Sequence, residues 1–116
     1  MNRTSFYGEI YTTDSEIVRS TLAEWLHADD LKTRVKIFGE HIVYEGDNIY
    51  VFAENSTQPG QRNFLFQGHT GAGLDETRQK LGQLRDLFKA RNIKSDFDYV
   101  VVNESGEEIS EEFQVR

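Results

Sequence analysis

The spacing of apolar residues in this chain switches between a period of about two and a period of about 3.6 residues, and no other feature narrows its fold so far. "SFYGEIYT" alternates, with Phe6, Gly8 and Ile10 facing one way and Tyr7, Glu9 and Tyr11 the other, which predicts a strand. The next segment buries Val18, Leu22, Trp25 and Leu26 at helical spacing, with Ile17 flanking. Thr13 and Glu16 stand three apart in front of it, the pattern of a capping box with Thr13 as cap. "RVKIF", "HIVYEG", "NIYVFAE" and "RNFLFQG" then read as strands, rich in β-branched and aromatic residues. Glu45–Asn48 supplies a turn, and "NSTQPGQ" a polar loop with the single proline. The helical period returns in Leu74, Leu81, Leu84 and Phe88, with Leu87 beside them. "FDYVVVN" restores the strand period before a glycine-containing turn and the extended tail "EEFQVR".

Strands and helices in this order, without strict alternation, predict an α+β fold with a mainly antiparallel sheet. The economical arrangement is a ferredoxin-like split βαβ sandwich, with roughly four to six strands and two helices on one face. At 116 residues the chain is read as a single domain, 1–116, ending in an acidic hairpin or tail at 103–116. Phe6 faces opposite to Tyr7 and Tyr11, which is consistent with a homodimer through the open sheet face or with scattered exposed aromatics.

Charge is unevenly spread. The chain carries −7 overall, yet the first 95 residues hold thirteen acids and twelve bases. From Asp96 onward seven acids face Arg116 alone, so −6 of the imbalance sits at the end. Such an end repels nucleic acid and anionic membrane and attracts basic protein surfaces; it also serves solubility. Glu104, Glu107, Glu108, Glu111 and Glu112 are the candidate partner-binding residues. The absence of cysteine, of a signal-peptide-like start and of a membrane-length apolar run gives a cytoplasmic location as the expectation.

The stretch Gly68, His69, Thr70, Gly71, Ala72, Gly73 lies where a strand hands over to a helix, the place where backbone N–H groups can cradle an anion. Neither G-x-x-x-x-G-K-S/T nor G-x-G-x-x-G is present, and Asp75 and Glu76 occupy the helix start. Those carboxylates already complement the positive end of the helix dipole and repel a phosphate. The same stretch, "GAGLDETRQK", is similar to the lead into the final helix of the double-stranded RNA-binding domain. That family sets a lysine pair after its glycine turn, where this chain has Asp75 and Glu76, so the resemblance is not adopted and no nucleic acid is expected.

His27, His41 and His69 lack paired metal-ligand spacing, and no nucleophile motif appears, so neither catalysis nor a cofactor or metal is expected. Gly82 interrupts the second helix on a stripe with Arg78, Arg85 and Lys89. Close packing is the expected reason; a basic strip with room for a partner, such as the acidic tail of a neighbouring subunit, is the other. The leading functional expectation is a small non-catalytic, acidic protein-binding module of inhibitor, immunity or adaptor type that engages a basic partner. The alternative is a small-ligand-sensing domain using Gly68, His69, Thr70, Gly71 and Gly73.

Overall fold

The computed structural model describes residues 2–28, 32–36, 39–46, 48–55 and 63–115, with residues 32–36 and 39–40 as backbone. Most of the expected loop "NSTQPGQ", Asp29 and Asp30 of the expected helix end, Ile37 and Phe38 of the expected strand "RVKIF", Asp47 of the expected turn and Arg116 of the tail lie outside them. The elements follow in order as β1 (Arg3–Ile10), α1 (Ser15–Leu26), β2 (Lys32–Lys36), β3 (Gly39–Glu45), β4 (Ile49–Asn55), β5 (Phe64–Thr70), α2 (Leu74–Ala90), β6 (Ser95–Val102) and β7 (Phe113–Val115).

The fold is α+β, with one antiparallel sheet of order β2-β3-β4-β5-β1-β6-β7. Its centre is doubly split: β1 and β4 flank β5 across the α1 connection, and β5 and β6 flank β1 across α2. The β2–β3 hairpin widens one edge. The other is widened by β7, which raises the sheet to seven strands where the sequence reading expects at most six. The tail pairs because Phe113 stacks on Tyr99, with centroids 5.4 Å apart, and Val115 is buried opposite Phe97.

Alternation sorts the two sheet faces. One cross-strand row runs Ile42, Ala53, Phe66, Gly8, Phe97, Val115, and its side chains join Val18, Leu22, Trp25, Leu81, Leu84 and Phe88 of the helices in a single core. Both helices therefore cover the same face. Phe6, Trp25, Phe66 and Phe97 form its aromatic centre, in stacked and edge-to-face contacts with centroids 5.1–6.5 Å apart. The indole Nε1–H of Trp25 donates to the Lys80 carbonyl at 2.8 Å, which ties α1 to α2 while satisfying a buried polar group.

The start of α1 differs from the sequence reading. Asp14, not Thr13, is the N-cap: its Oδ1 accepts from the N–H groups of Glu16 and Ile17 at 3.1 and 3.2 Å. The Thr12 hydroxyl accepts from the Asp14 N–H and sets the turn, and Glu16 reaches forward to Arg19 instead of back to the cap. A carboxylate cap accepts charge-assisted hydrogen bonds, which explains why it prevails over the neighbouring hydroxyl. His27 closes α1 in the left-handed region, φ 53°.

Candidate functional site

The face of the sheet without helices gathers several acidic side chains. Its rows follow from the strand register. Asp96, Glu9, Leu65, Glu54 and His41 lie side by side across β6, β1, β5, β4 and β3. The next row is Asp98, Tyr7, Gln67, Phe52 and Val43. Glu9 and Asp96 are directly opposite one another, a like-charge pairing that disfavours the sheet. Asn63 Nδ2 donates to Glu9 and the Tyr11 hydroxyl to Asp96, each at 3.0 Å, which offsets part of that repulsion.

Tyr7, Tyr11 and Leu65 stand out from this face at 37%, 42% and 48% exposure. Together with Glu9, Gln67, Asp96 and Asp98 they line an open hollow of 460 Å³. The Tyr7 hydroxyl donates a hydrogen bond to Glu112, which brings the C-terminal arm onto the face. That bond, then burial, then the charges of Glu112, Asp98 and Glu108 push the Tyr7 phenol up to about 12. Tyr11 is likewise pushed up to about 12, first by its bond to Asp96, then by burial and the charges of Asp96 and Glu9. Lys94 sits 5.6 Å from the Tyr11 ring centroid, so this ring already holds a cation within the chain.

The hairpin that carries the remaining acids is built rigidly. Asn103 Oδ1 accepts from the N–H groups of Ser105 and Glu107, at 3.0 and 2.9 Å, and the backbones of Asn103 and Glu107 pair at 2.9 Å. Gly106 closes the turn at φ 82°, in the left-handed region. The return arm pairs Ile109 N–H with Val101 O, then bulges: Val100 alone faces Ser110, Glu111 and Glu112 before β7 regains register. The Ser110 hydroxyl accepts from Val101 N–H at 2.9 Å and bridges that gap. Glu104, Glu107, Glu108, Glu111 and Glu112 are all exposed. The ion pairs among the described residues, Arg19–Glu16, Arg85–Asp86 and Arg91–Glu24, use none of Glu107, Glu108, Glu111 and Glu112. The sequence placed the acidic site in the tail alone; the fold adds Glu9, Asp96 and Asp98 and brings Glu108 and Glu112 beside them.

The glycine stretch is mostly strand. Gly68, His69 and Thr70 end β5, so the connection to α2 is only 71–73 and not the loop of 68–73 read from the sequence. Gly68 is opposite Phe6, and a Cβ built there would lie 2.6 Å from the ring's Cε1 and Cζ and 2.2 Å from Tyr50 O. The glycine thus houses a core ring. Thr70 is buried; its hydroxyl donates to Asn48 O and accepts from Ala72 N–H. Gly71 N–H also goes to Asn48 O. Gly73 is the N-cap of α2 and makes no side-chain cap bond. His69 stacks on Tyr50 with centroids 5.4 Å apart, and burial, followed by the Arg3 charge, lowers its pKa. A 420 Å³ hollow beside it is bordered by Arg3, Glu45, Asn48, Tyr50, His69 and Gly71.

Among the described residues no helix is long and apolar enough to cross a membrane, and no group of three His, Asp or Glu side chains is placed to hold a metal ion. Compared with known protein families, curated proteins and solved structures, the chain gives no match.

Proposed function

We propose that the chain is a small non-catalytic protein-binding module whose acidic hairpin and outer sheet face dock on a basic surface of a partner. One observation carries this reading: Glu9, Asp96, Asp98, Glu108 and Glu112 gather around Tyr7 and Tyr11 on the face that no helix covers. Negative charge of this density speeds and orients the approach of a cationic partner. Exposed tyrosines add contact area at low cost in side-chain entropy, and the Tyr7 ring can accept a guanidinium or ammonium group as Tyr11 accepts Lys94. The hydrogen-bonded turn at Asn103–Glu107 holds its glutamates in place, so less order is lost on docking. Inhibitor, immunity-type and adaptor roles share this chemistry, whereas a homodimer through the same face would set these carboxylates against their own copies.

A titration with a soluble Arg-Ser repeat peptide, followed by amide NMR shifts, tests the proposal. The expected shifts fall on Tyr7, Gln67, Asp98 and residues 104–112, and affinity falls steeply with salt. Reversing Glu107, Glu108, Glu111 and Glu112 to lysine flattens that salt slope. Shifts confined to the helical face, or an unchanged slope in the quadruple variant, would count against it.

The small-ligand reading keeps one observation in its favour, the hollow beside His69. The Gly71 N–H and the Thr70 hydroxyl are already engaged with Asn48 O, so the expected loop donors are not offered to a ligand there. A ligand held there raises the melting temperature of the wild type but not of His69→Ala.

A further inference from the structure

Gly82 is the residue of α2 that folding does not account for. A glycine inside a helix costs about 1 kcal/mol relative to alanine. The close packing that the sequence reading assigns to it is absent: a Cβ built at Gly82 meets only the Arg85 guanidinium, at 4.0 Å. The space opens onto a 550 Å³ groove between α2 and β7. Arg78, Gly82 and Arg85 form its helix wall, Gln114 and Val115 its strand wall, and Asp75 and Gln79 close one end. A second hollow of 810 Å³ shares Arg85 and runs on past Asp86 and Lys89 to Lys94, Ser95 and Asp96. Ser95 is buried there, yet its hydroxyl has no hydrogen-bond partner.

We propose that this groove receives an extended acidic segment of a partner protein, which joins the sheet as a further strand beside β7. Three features point to such an occupant. Among the described residues the strand wall is the last strand of the sheet, and the outward N–H and C=O groups of its three residues are where an incoming chain can pair. Alternate side chains of that chain would turn toward α2, where Arg78, Arg85 and Lys89 outnumber Asp75 and Asp86, with Arg85 shared between Asp86 and the groove. Gly82 leaves the helix wall bare at the level of the groove, where any larger residue would stand in the path. A second copy of this chain fits less well. Antiparallel pairing of two β7 strands has its twofold axis perpendicular to the sheet, so the two α2 helices lie side by side with Arg78 and Arg85 facing their own copies.

The test uses two ten-residue peptides with blocked termini, one alternating Glu and Thr, the other Lys and Thr, titrated into the full chain. The Glu-Thr peptide binds at least tenfold more tightly, shifts the amides of Phe113–Val115 and residues 78–89, and slows hydrogen exchange in β7. Gly82→Leu, which improves helix propensity, keeps or raises the melting temperature and abolishes binding. Arg78→Glu with Arg85→Glu reverses the preference between the peptides. Equal binding of both peptides, shifts elsewhere on the molecule, undiminished binding by Gly82→Leu, or a β7-mediated dimer in sedimentation equilibrium would each overturn the proposal.

Discussion

The same substitution, Gly→Ala, is expected to have opposite signs at Gly68 and Gly82. Replacing a glycine inside a strand or helix by alanine ordinarily gains about 0.5–1 kcal/mol, because the unfolded chain loses freedom. At Gly82 nothing opposes that gain, since the new methyl would lie 4.0 Å from the Arg85 guanidinium, an ordinary contact, and meet nothing else. At Gly68 the methyl would lie 2.6 Å from two carbons of the Phe6 ring, where carbon contacts optimise at about 3.5–4.0 Å. The ring must therefore retreat by roughly 1 Å. It has nowhere to go, because Phe66 stacks on it at 5.4 Å and Trp25 meets it edge-on at 6.5 Å. Overpacking of this kind costs about 1–3 kcal/mol, and the contact at 2.2 Å with Tyr50 O adds a backbone adjustment. Gly68→Ala is then expected to lose about 1–2 kcal/mol net, while Gly82→Ala gains close to 1. Urea denaturation monitored through the single tryptophan, Trp25, reads both. A double-mutant cycle with Phe6→Leu, which removes the far ring carbons, should recover part of the Gly68→Ala loss. If Gly68→Ala is neutral or stabilising, the assignment of this glycine to the core ring is wrong.

Two further outcomes are expected. Asp14→Ala should lower stability by about 1 kcal/mol, while Thr13→Ala stays within about 0.5 kcal/mol of wild type; thermal unfolding separates the two cap assignments, and the reverse ranking would restore Thr13. Ultraviolet titration of tyrosinate should show Tyr7 and Tyr11 ionising near 12, above the usual 10, with Glu112→Gln returning Tyr7 toward the ordinary value. A phenol whose folded pKa is raised holds its proton more tightly in the folded state. Its stabilising contribution is therefore complete below pH 10 and is lost as the pH climbs toward 12. Normal ionisation of both rings would contradict the described contacts.

What the sequence revealed was local. The change of period located both helices and the main strands, because period reflects which face each segment buries. The cap of α1 was ambiguous because "TTDSE" offers hydroxyl and carboxylate candidates in adjacent positions; only the fold shows Thr12 positioning Asp14. β7 was hidden by its bulge, since Ser110, Glu111 and Glu112 interrupt any regular pairing with β6. The acidic face was legible only in its tail portion. Glu9 joins Asp96 and Asp98 because β1 pairs with β6, a contact between the two ends of the sequence that no short window contains. The alternation of Asp96 and Asp98 with Phe97 and Tyr99 was a usable sign that those acids share an outward face.

The position of β1 between β5 and β6 also constrains how the sheet can be assembled. Synthesised before both of its partners, β1 waits with both edges unsatisfied until Phe64 begins its first neighbour and Ser95 its second. Such distant pairing carries a loop-closure cost before any reward, so formation of the sheet centre should be slow and concerted rather than sequential. Until then a segment carrying Phe6, Tyr7 and Ile10 is open to wrong pairing, and a charge such as that of Glu9 within it opposes such pairing.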